Sequence, residues 1–316
     1  SDHLLARLKK AFGPYGGEAT TSAPNLGVDY FAGRRRAHKK CITVLRKRED
    51  RFLKRARRLR ALRRSGYDMR ELFITGLQAF SHYGSEVVGL DTRQLQRARS
   101  RYLDLVGAKA QSANANLTLT VMSDPLWRQG LGPALTWATI VWKATTNQDY
   151  ARIISVPELG RLAGPVLLKA PSTWGAVKGP IGAAVMSLRR VGWSFDNCLT
   201  LVSDTGERFP LPSTSPALLA YHLQVSWKRR LGRDAAKSVG LEGEQLDPSA
   251  FHQHQKRSHL GQTFPLLKAF MTQAVWSPYR LHQAGYSIDT VCPHCGAARD
   301  TLGHRLFTCT ATADLR

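Results

Sequence analysis

Four side chains near the end of the chain have the types and spacing to hold a metal ion. They are Cys292, Cys295, His304 and Cys309, in the run CPHCGAARDTLGHRLFTC. Three thiols and one imidazole suit the tetrahedral demand of Zn²⁺, which takes four nitrogen or sulfur ligands in a closed structural site. Pro293 and Gly296 bracket the Cys-x-x-Cys turn, and glycine can take the positive φ that lets backbone N–H groups point at the sulfurs. Asp300 or Thr301 can N-cap a short helix that presents His304. Cys309 follows five residues later, roughly 140° further round a regular helix. The helix must therefore end or unwind before Cys309 if both side chains are to reach one ion. His294 is the alternative fourth ligand, but it sits inside the knuckle turn and is expected to point away. The competing reading of the cysteines is a set of buried unpaired thiols or a disulfide.

The other chemically suggestive residues read more plainly as structure. Asp204-Thr205-Gly206 lies between two apolar runs and is a hairpin turn rather than an aspartic-protease motif. His252, His254 and His259 are irregularly spaced around Lys256 and Arg257, which fits solvent exposure or phosphate contact better than a second metal cluster. The tryptophans (127, 137, 142, 174, 193, 227 and 276) sit mostly among aliphatic residues and are expected in cores. No Ser/His/Asp or Cys/His set stands out, and no Gly-rich phosphate loop ending in Lys-Ser/Thr occurs. No Asp-Asp pair follows an apolar strand, as a two-metal polymerase site would need. No catalytic residue is predicted.

Charge is the compositional outlier. The 316 residues hold 46 Lys and Arg against 23 Asp and Glu, a net charge of +23 with a pI near 10.4. Such an imbalance is self-repelling unless a polyanion compensates it, and nucleic acid is the natural partner. No apolar run approaches the roughly 20 residues that span a bilayer, which argues against a membrane. Only five cysteines occur, with Cys41 and Cys198 outside the metal motif, which fits a reducing intracellular compartment. Ser1 at the start, and a stop seven residues after Cys309, read as cuts in a longer polypeptide.

Gly13 to Pro24 is a turn-rich stretch. Arg34 to Arg64 then carries sixteen Lys or Arg against Glu49 and Asp50. Leu45, Phe52, Ala56 and Leu59 recur within it at three-, four- or seven-residue intervals, with Ile42 and Leu62 beside them. This is a long helix with one narrow apolar stripe and cations on its other faces, ended by Ser65-Gly66. The residues expected to contact phosphates are Arg34, Arg35, Arg36, Lys39, Lys40, Arg46, Lys47, Arg51, Lys54, Arg55 and Arg58. Such contacts position a nucleic acid without reading its sequence. A second helix is expected over Met69 to Phe80, burying Leu72, Phe73, Gly76, Leu77 and Phe80. Asp91 caps a third, Thr92 to Leu105.

The middle of the chain is weaker in signal. Helices are expected from Trp127 through Trp142, over Gly175 to Val191 and over Pro216 to Leu231, with a β-hairpin over Leu199 to Leu211. Residues 250–282 lead helically into the metal segment. The predicted fold class is mainly α: a helical bundle, a mostly helical linker with a short β-hairpin, and a C-terminal zinc knuckle. The expected divisions are 1–25 as a remnant of a preceding domain, 26–107 as a basic helical domain, 108–250 as linker, and 251–316 as a helical segment with the knuckle.

Three segments together resemble the C-terminal half of reverse transcriptases from non-LTR retrotransposons. LGVDYFAGRRR is similar to the point where that family's palm ends. The basic helix followed by LFITGLQAFSHYGSEVVGLDTRQLQRARSRY resembles the family's thumb. LHQAGYSIDTVCPHCGAARDTLGHRLFTC resembles its Cys-Cys-His-Cys knuckle. Asn25 precedes the Leu-Gly pair where the family usually has a nearby Lys, and the palm aspartates that hold Mg²⁺ are absent from this chain. The resemblance implies a nuclear role in target-primed reverse transcription, with this portion gripping template RNA and target DNA and no catalytic centre of its own. The alternative is a free-standing zinc-knuckle nucleic-acid-binding protein derived from such an element. The oligomeric state is left open by either reading.

Overall fold

A computed structural model describes residues 22–25, 28–31, 43–106, 113–238, 241, 243–249, 252–253, 264–296 and 299–315. The fold is mainly helical, with two small antiparallel sheets. The described chain forms two compact units. One comprises its residues up to Leu105 together with Pro125–Trp227, and the other Val106–Asp124 together with the residues from Lys228 onward. Residues 125–227, within the segment expected to be linker, thus share a unit with the basic helix. Among the described residues no helix is long and apolar enough to cross a membrane.

In the first unit the basic helix runs over Thr43–Arg64. Arg, Lys, Leu and Ala, all good helix formers, dominate its sequence. It stops where Gly66 turns left-handed at φ 89°, its amide donating to the carbonyl of Arg63. Phe52 and Ala56 are buried and Leu59 half-buried, whereas Leu62 is exposed, so the apolar stripe fades towards the C-terminal end. Phe52 meets Phe73 edge-on at 6.5 Å, and Phe73 packs against Tyr102 at 5.0 Å. These rings join three helical segments in one core.

The second segment departs from the single α-helix expected. It is α-helical over Arg70–Leu72, π-helical over Phe73–Gln78 and α-helical again over Ala79–Ser81. The wider π turn shifts which side chains face inward. Met69, Phe73, Leu77 and Gln78 are buried, while Leu72 and Gly76, expected inside, are exposed. The Gln78 side chain donates through Nε2 to the carbonyl of Pro125 over 3.1 Å. Thr92–Leu105 forms as expected. Asp91 accepts from the Gln94 amide at 2.7 Å while the Gln94 side chain accepts from the Asp91 amide at 2.9 Å, a reciprocal capping box.

The centre of this unit is the helix Trp127–Thr146, packed against Pro180–Arg189 and Ser85–Val88. Leu131, Ala134, Ala138 and Val141, at helical spacing, are buried along it. Gly130 has to be glycine, since a Cβ there would overlap the Trp227 ring. Arg190 binds the segments together: it donates to the carbonyls of Gly130 and Leu90 and stacks over Trp174 at 4.4 Å. The helix expected from Gly175 is shorter, a 3₁₀ turn over Trp174–Ala176 preceding it. Gln148–Ile153 and Val156–Leu168 are further helices that the sequence reading did not anticipate.

The hairpin forms with Leu201 opposite Phe209, and Gly206 turns it at φ 86°. Ser194–Asn197 adds an unanticipated third strand. The turn carboxylate of Asp204 accepts from the Trp193 indole at 3.2 Å and the Ser226 hydroxyl at 2.7 Å, a structural use of this residue. Trp137, Trp193 and Trp227 are buried, as expected, but Trp276 is exposed.

The second unit contains the helix Ala115–Met122, capped by Asn114, whose side chain accepts from the amides of Asn116 and Leu117. The Asn114 amide donates to the carbonyl of Thr272, at the end of the helix Phe264–Met271. Pro278–Gln283, capped by Ser277, leads into the metal segment.

Candidate metal centre

The segment after Gln283 brings Cys292, Cys295, His304 and Cys309 together, with one ligand atom from each lying within 4.8 Å of all the others. The Sγ atoms of Cys292 and Cys309 are 3.9 Å apart, and the Sγ of Cys295 lies 3.2 Å from Nε2 of His304. A tetrahedral ion with metal–sulfur bonds of about 2.3 Å requires sulfur–sulfur edges of about 3.8 Å. The four donors therefore fit one ion at their centre. His294 is exposed and outside the cluster.

Local geometry explains how four short-range residues converge. Gly296 sits at φ 69° and its amide donates to the Cys292 carbonyl over 2.9 Å, closing the Cys-x-x-Cys turn. Thr301 is the cap of the following helix, its hydroxyl accepting from the His304 amide at 3.0 Å. The spacing problem between His304 and Cys309 is solved by a π-helical turn over His304–Thr308. The Cys309 amide donates to the His304 carbonyl over 2.7 Å, an i→i+5 bond that returns the fifth residue towards the first. Cys309 itself is extended, at φ −69° and ψ 122°.

Two residues outside the ligand set have roles not foreseen from sequence, which offers Asp300 only as an alternative N-cap to Thr301. Nδ1 of His304 is 3.2 Å from the Thr308 hydroxyl, which leaves Nε2 to the metal and fixes the ring. Asp300 is fully buried and accepts from two N–H groups along one guanidinium edge of Arg305, with Nε to Oδ1 at 2.6 Å. Its amide donates to the carbonyl of Thr290, and its carbonyl accepts from Tyr279, which ties the knuckle to the helix Pro278–Gln283. The only sequence signal for either partner is the run of hydrogen-bonding side chains around His304.

The electrostatics favour thiolate. Burial raises the Cys292 thiol, but the amides of His294 and Cys295, with the His304 and Cys295 side chains, outweigh it and hold the thiol below its ordinary value. Cys309 behaves alike: burial is outweighed by the Cys295 side chain, the Ala311 amide, and the side chains of Cys292 and Thr312. Thiolate is the form that binds metal. Four protein donors and two buried sulfurs make a closed site, the arrangement of a structural rather than a catalytic ion. Among the described residues, no other group of three or more His, Cys, Asp or Glu converges closely enough to share an ion.

The predicted phosphate-contacting residues divide. Arg34, Arg35, Arg36, Lys39, Lys40 and the side chain of Arg46 lie outside the described residues. Lys47, Arg51, Lys54, Arg55 and Arg58 are exposed on the helix. Arg55 nevertheless lies over the Phe80 ring at 4.3 Å, so its position is fixed by its own fold. Arg48 reaches the carbonyl of Tyr83, while Arg60 and Arg63 reach the carboxylate and carbonyl of Asp104. Counted at about 100° per residue, Lys47, Arg51, Lys54 and Arg58 fall within about 60° of one another, roughly opposite Phe52 and Ala56. No partner within the described residues is recorded for these four side chains. Among the other suggestive residues, His252 is half-buried, and His254, His259 and Cys41 lie outside the described residues. No protein-family model, curated protein or solved structure matches this chain.

Proposed function

We propose that this chain binds nucleic acid through the outward row of its basic helix, with a Zn²⁺ ordering its C-terminal knuckle. On this reading it does the work of the C-terminal part of a non-LTR retrotransposon reverse transcriptase. It grips template RNA or target DNA in the nucleus and carries no catalytic centre of its own. The observation that carries the proposal is the division of the helix's cations. Arg48, Arg60 and Arg63 hold the fold together, while Lys47, Arg51, Lys54 and Arg58 form one solvent-facing row. That row extends about 16 Å along the helix, and a line of exposed cations suits a phosphate backbone. Zinc is the metal of choice because three thiolates and one imidazole in a closed tetrahedron match its softness and lack of geometric preference.

Each phosphate neutralised releases condensed counterions, so affinity should fall with salt. Replacing Lys47, Arg51, Lys54 and Arg58 together by Gln should weaken binding to all sequences. The slope of log K against log salt should flatten by about 0.9 per contact on duplex and about 0.7 on single strands. A folded quadruple variant with an unchanged slope would refute the reading. Sequencing the reading frame on both sides of this chain tests the retrotransposon assignment, which requires a palm with paired aspartates upstream.

A further inference from the structure

We infer that the basic helix binds a strand with unpaired bases, one of which stacks on Tyr83. This rests on the phosphate-binding reading above and adds to it the class of nucleic acid.

Two arginine–aromatic pairs flank the cation row. Arg48 and Arg55 are seven residues apart, so they fall within about 20° of each other on the helix. Each carries an aromatic partner from the neighbouring segment. The Arg48 guanidinium lies 4.8 Å from the centre of the Tyr83 ring, and that of Arg55 lies 4.3 Å from the Phe80 ring. Arg48 also donates to the Tyr83 carbonyl over 2.7 Å, so backbone and ring are held by one side chain. Gly84, at φ 83°, turns the chain immediately afterwards.

The two aromatic residues differ in exposure. Phe80 is half-buried and serves as packing for Arg55. Tyr83 is 53% exposed although its position is fixed. A fixed, exposed ring beside a phosphate-binding row is a stacking platform. In a duplex the base faces are covered by their neighbours, and a protein reaches them only by extruding a base. A ring on this flank gains nothing from duplex but can stack a base of a strand whose phosphates follow Lys47, Arg51, Lys54 and Arg58.

The test uses the full zinc-loaded chain and four ligands of equal phosphate count: single-stranded RNA, single-stranded DNA, a duplex, and a single strand lacking its bases. Tyr83→Leu should weaken binding to the two base-bearing single strands by about 5- to 150-fold. It should leave the duplex, the abasic strand and every salt slope unchanged. Tyr83→Phe should bind as the parent does, and Tyr83→Trp should bind the single strands at least as tightly. The RNA and DNA arms show which source supplies the base, and a loss in either supports the inference. Affinities of Tyr83→Leu unchanged from the parent on all four ligands, or a parallel loss on duplex and abasic strand, would overturn it while leaving the phosphate reading intact. If the parent protein binds none of the four in a salt-dependent way, the phosphate reading itself fails.

Discussion

The amide of Cys309 donates to the carbonyl of His304 over 2.7 Å, so a five-residue turn links two of the four donors of the metal centre. An α-helix would place these side chains on different faces. The π turn brings them to one point, and the chain leaves the helix at Cys309 with its sulfur 3.9 Å from that of Cys292. Turn type and metal geometry are therefore one constraint.

That constraint extends to Thr308, whose hydroxyl faces Nδ1 of His304 at 3.2 Å. Removing the hydroxyl frees the imidazole to rotate and removes the group that fixes its tautomer. Thr308→Val should lower metal affinity by about 10- to 100-fold, and Thr308→Ser should restore most of it. Competition with a chromophoric chelator measures both. Unchanged affinity in the Val variant would show that the turn alone orients the ring.

One Zn²⁺ per chain is expected by native mass spectrometry. Cys295→Ala should lose it, because a closed site with three donors has no fourth to recruit from the exposed His294. Metal loss should also unlock the segment around Asp300, seen as faster amide exchange over residues 288–309 than in the parent. A variant that keeps its metal would mean that His294 does move in.

These relationships were unequally legible in the sequence. The four donors were readable because they are close along the chain and their residue types suit few other roles. That the helix must end or unwind before Cys309 was readable from the five-residue spacing, but that it does so through a π turn was not. The basic helix was readable from charge, but which of its arginines find partners within the fold was not. Arg48, Arg60 and Arg63 find their partners 35, 44 and 41 residues away, and no local pattern encodes such a contact. The helix Val156–Leu168 was not anticipated, although Ser155-x-x-Glu158 forms both bonds of a capping box at its start. Gly160, Gly164 and Pro165 obscured the helical pattern that follows. The strand Ser194–Asn197 is mostly exposed and lacks a clear apolar alternation, so only its pairing with Thr200–Val202 identifies it.

Asp300 gives the knuckle a pH dependence of definite sign. The bidentate hydrogen bond from Arg305 holds its carboxyl below the ordinary value of 3.8, against the opposing effect of burial. A carboxyl depressed in the folded state stabilises it above the unfolded value, and that contribution is lost as pH falls through the folded one. Asp300→Asn should therefore destabilise the metal-loaded knuckle near neutrality by about 1–3 kcal/mol. The gap between variant and parent should stay constant down to about pH 4 and close below it. A gap that closes above pH 5 would assign the effect to another group.

The last expectation separates two arginines on one helix, two residues apart. Arg60 pairs with Asp104, both side chains being partly exposed, and such pairs contribute about 0–1 kcal/mol. Arg58 belongs to the outward row, and no partner for it is recorded among the described residues. Arg60→Gln should therefore shift the thermal midpoint slightly and leave the salt slope of nucleic-acid binding as it was. Arg58→Gln should do the reverse, preserving stability and reducing the slope by about 0.9 on duplex or about 0.7 on a single strand. Phe52→Ala provides the reference for lost packing. It empties the contact with Phe73 at 6.5 Å and should destabilise the unit by about 3–5 kcal/mol, so any loss of binding follows unfolding. If Arg58→Gln and Arg60→Gln change the slope equally, pairing with Asp104 does not withhold Arg60 from nucleic acid, and phosphates reach both.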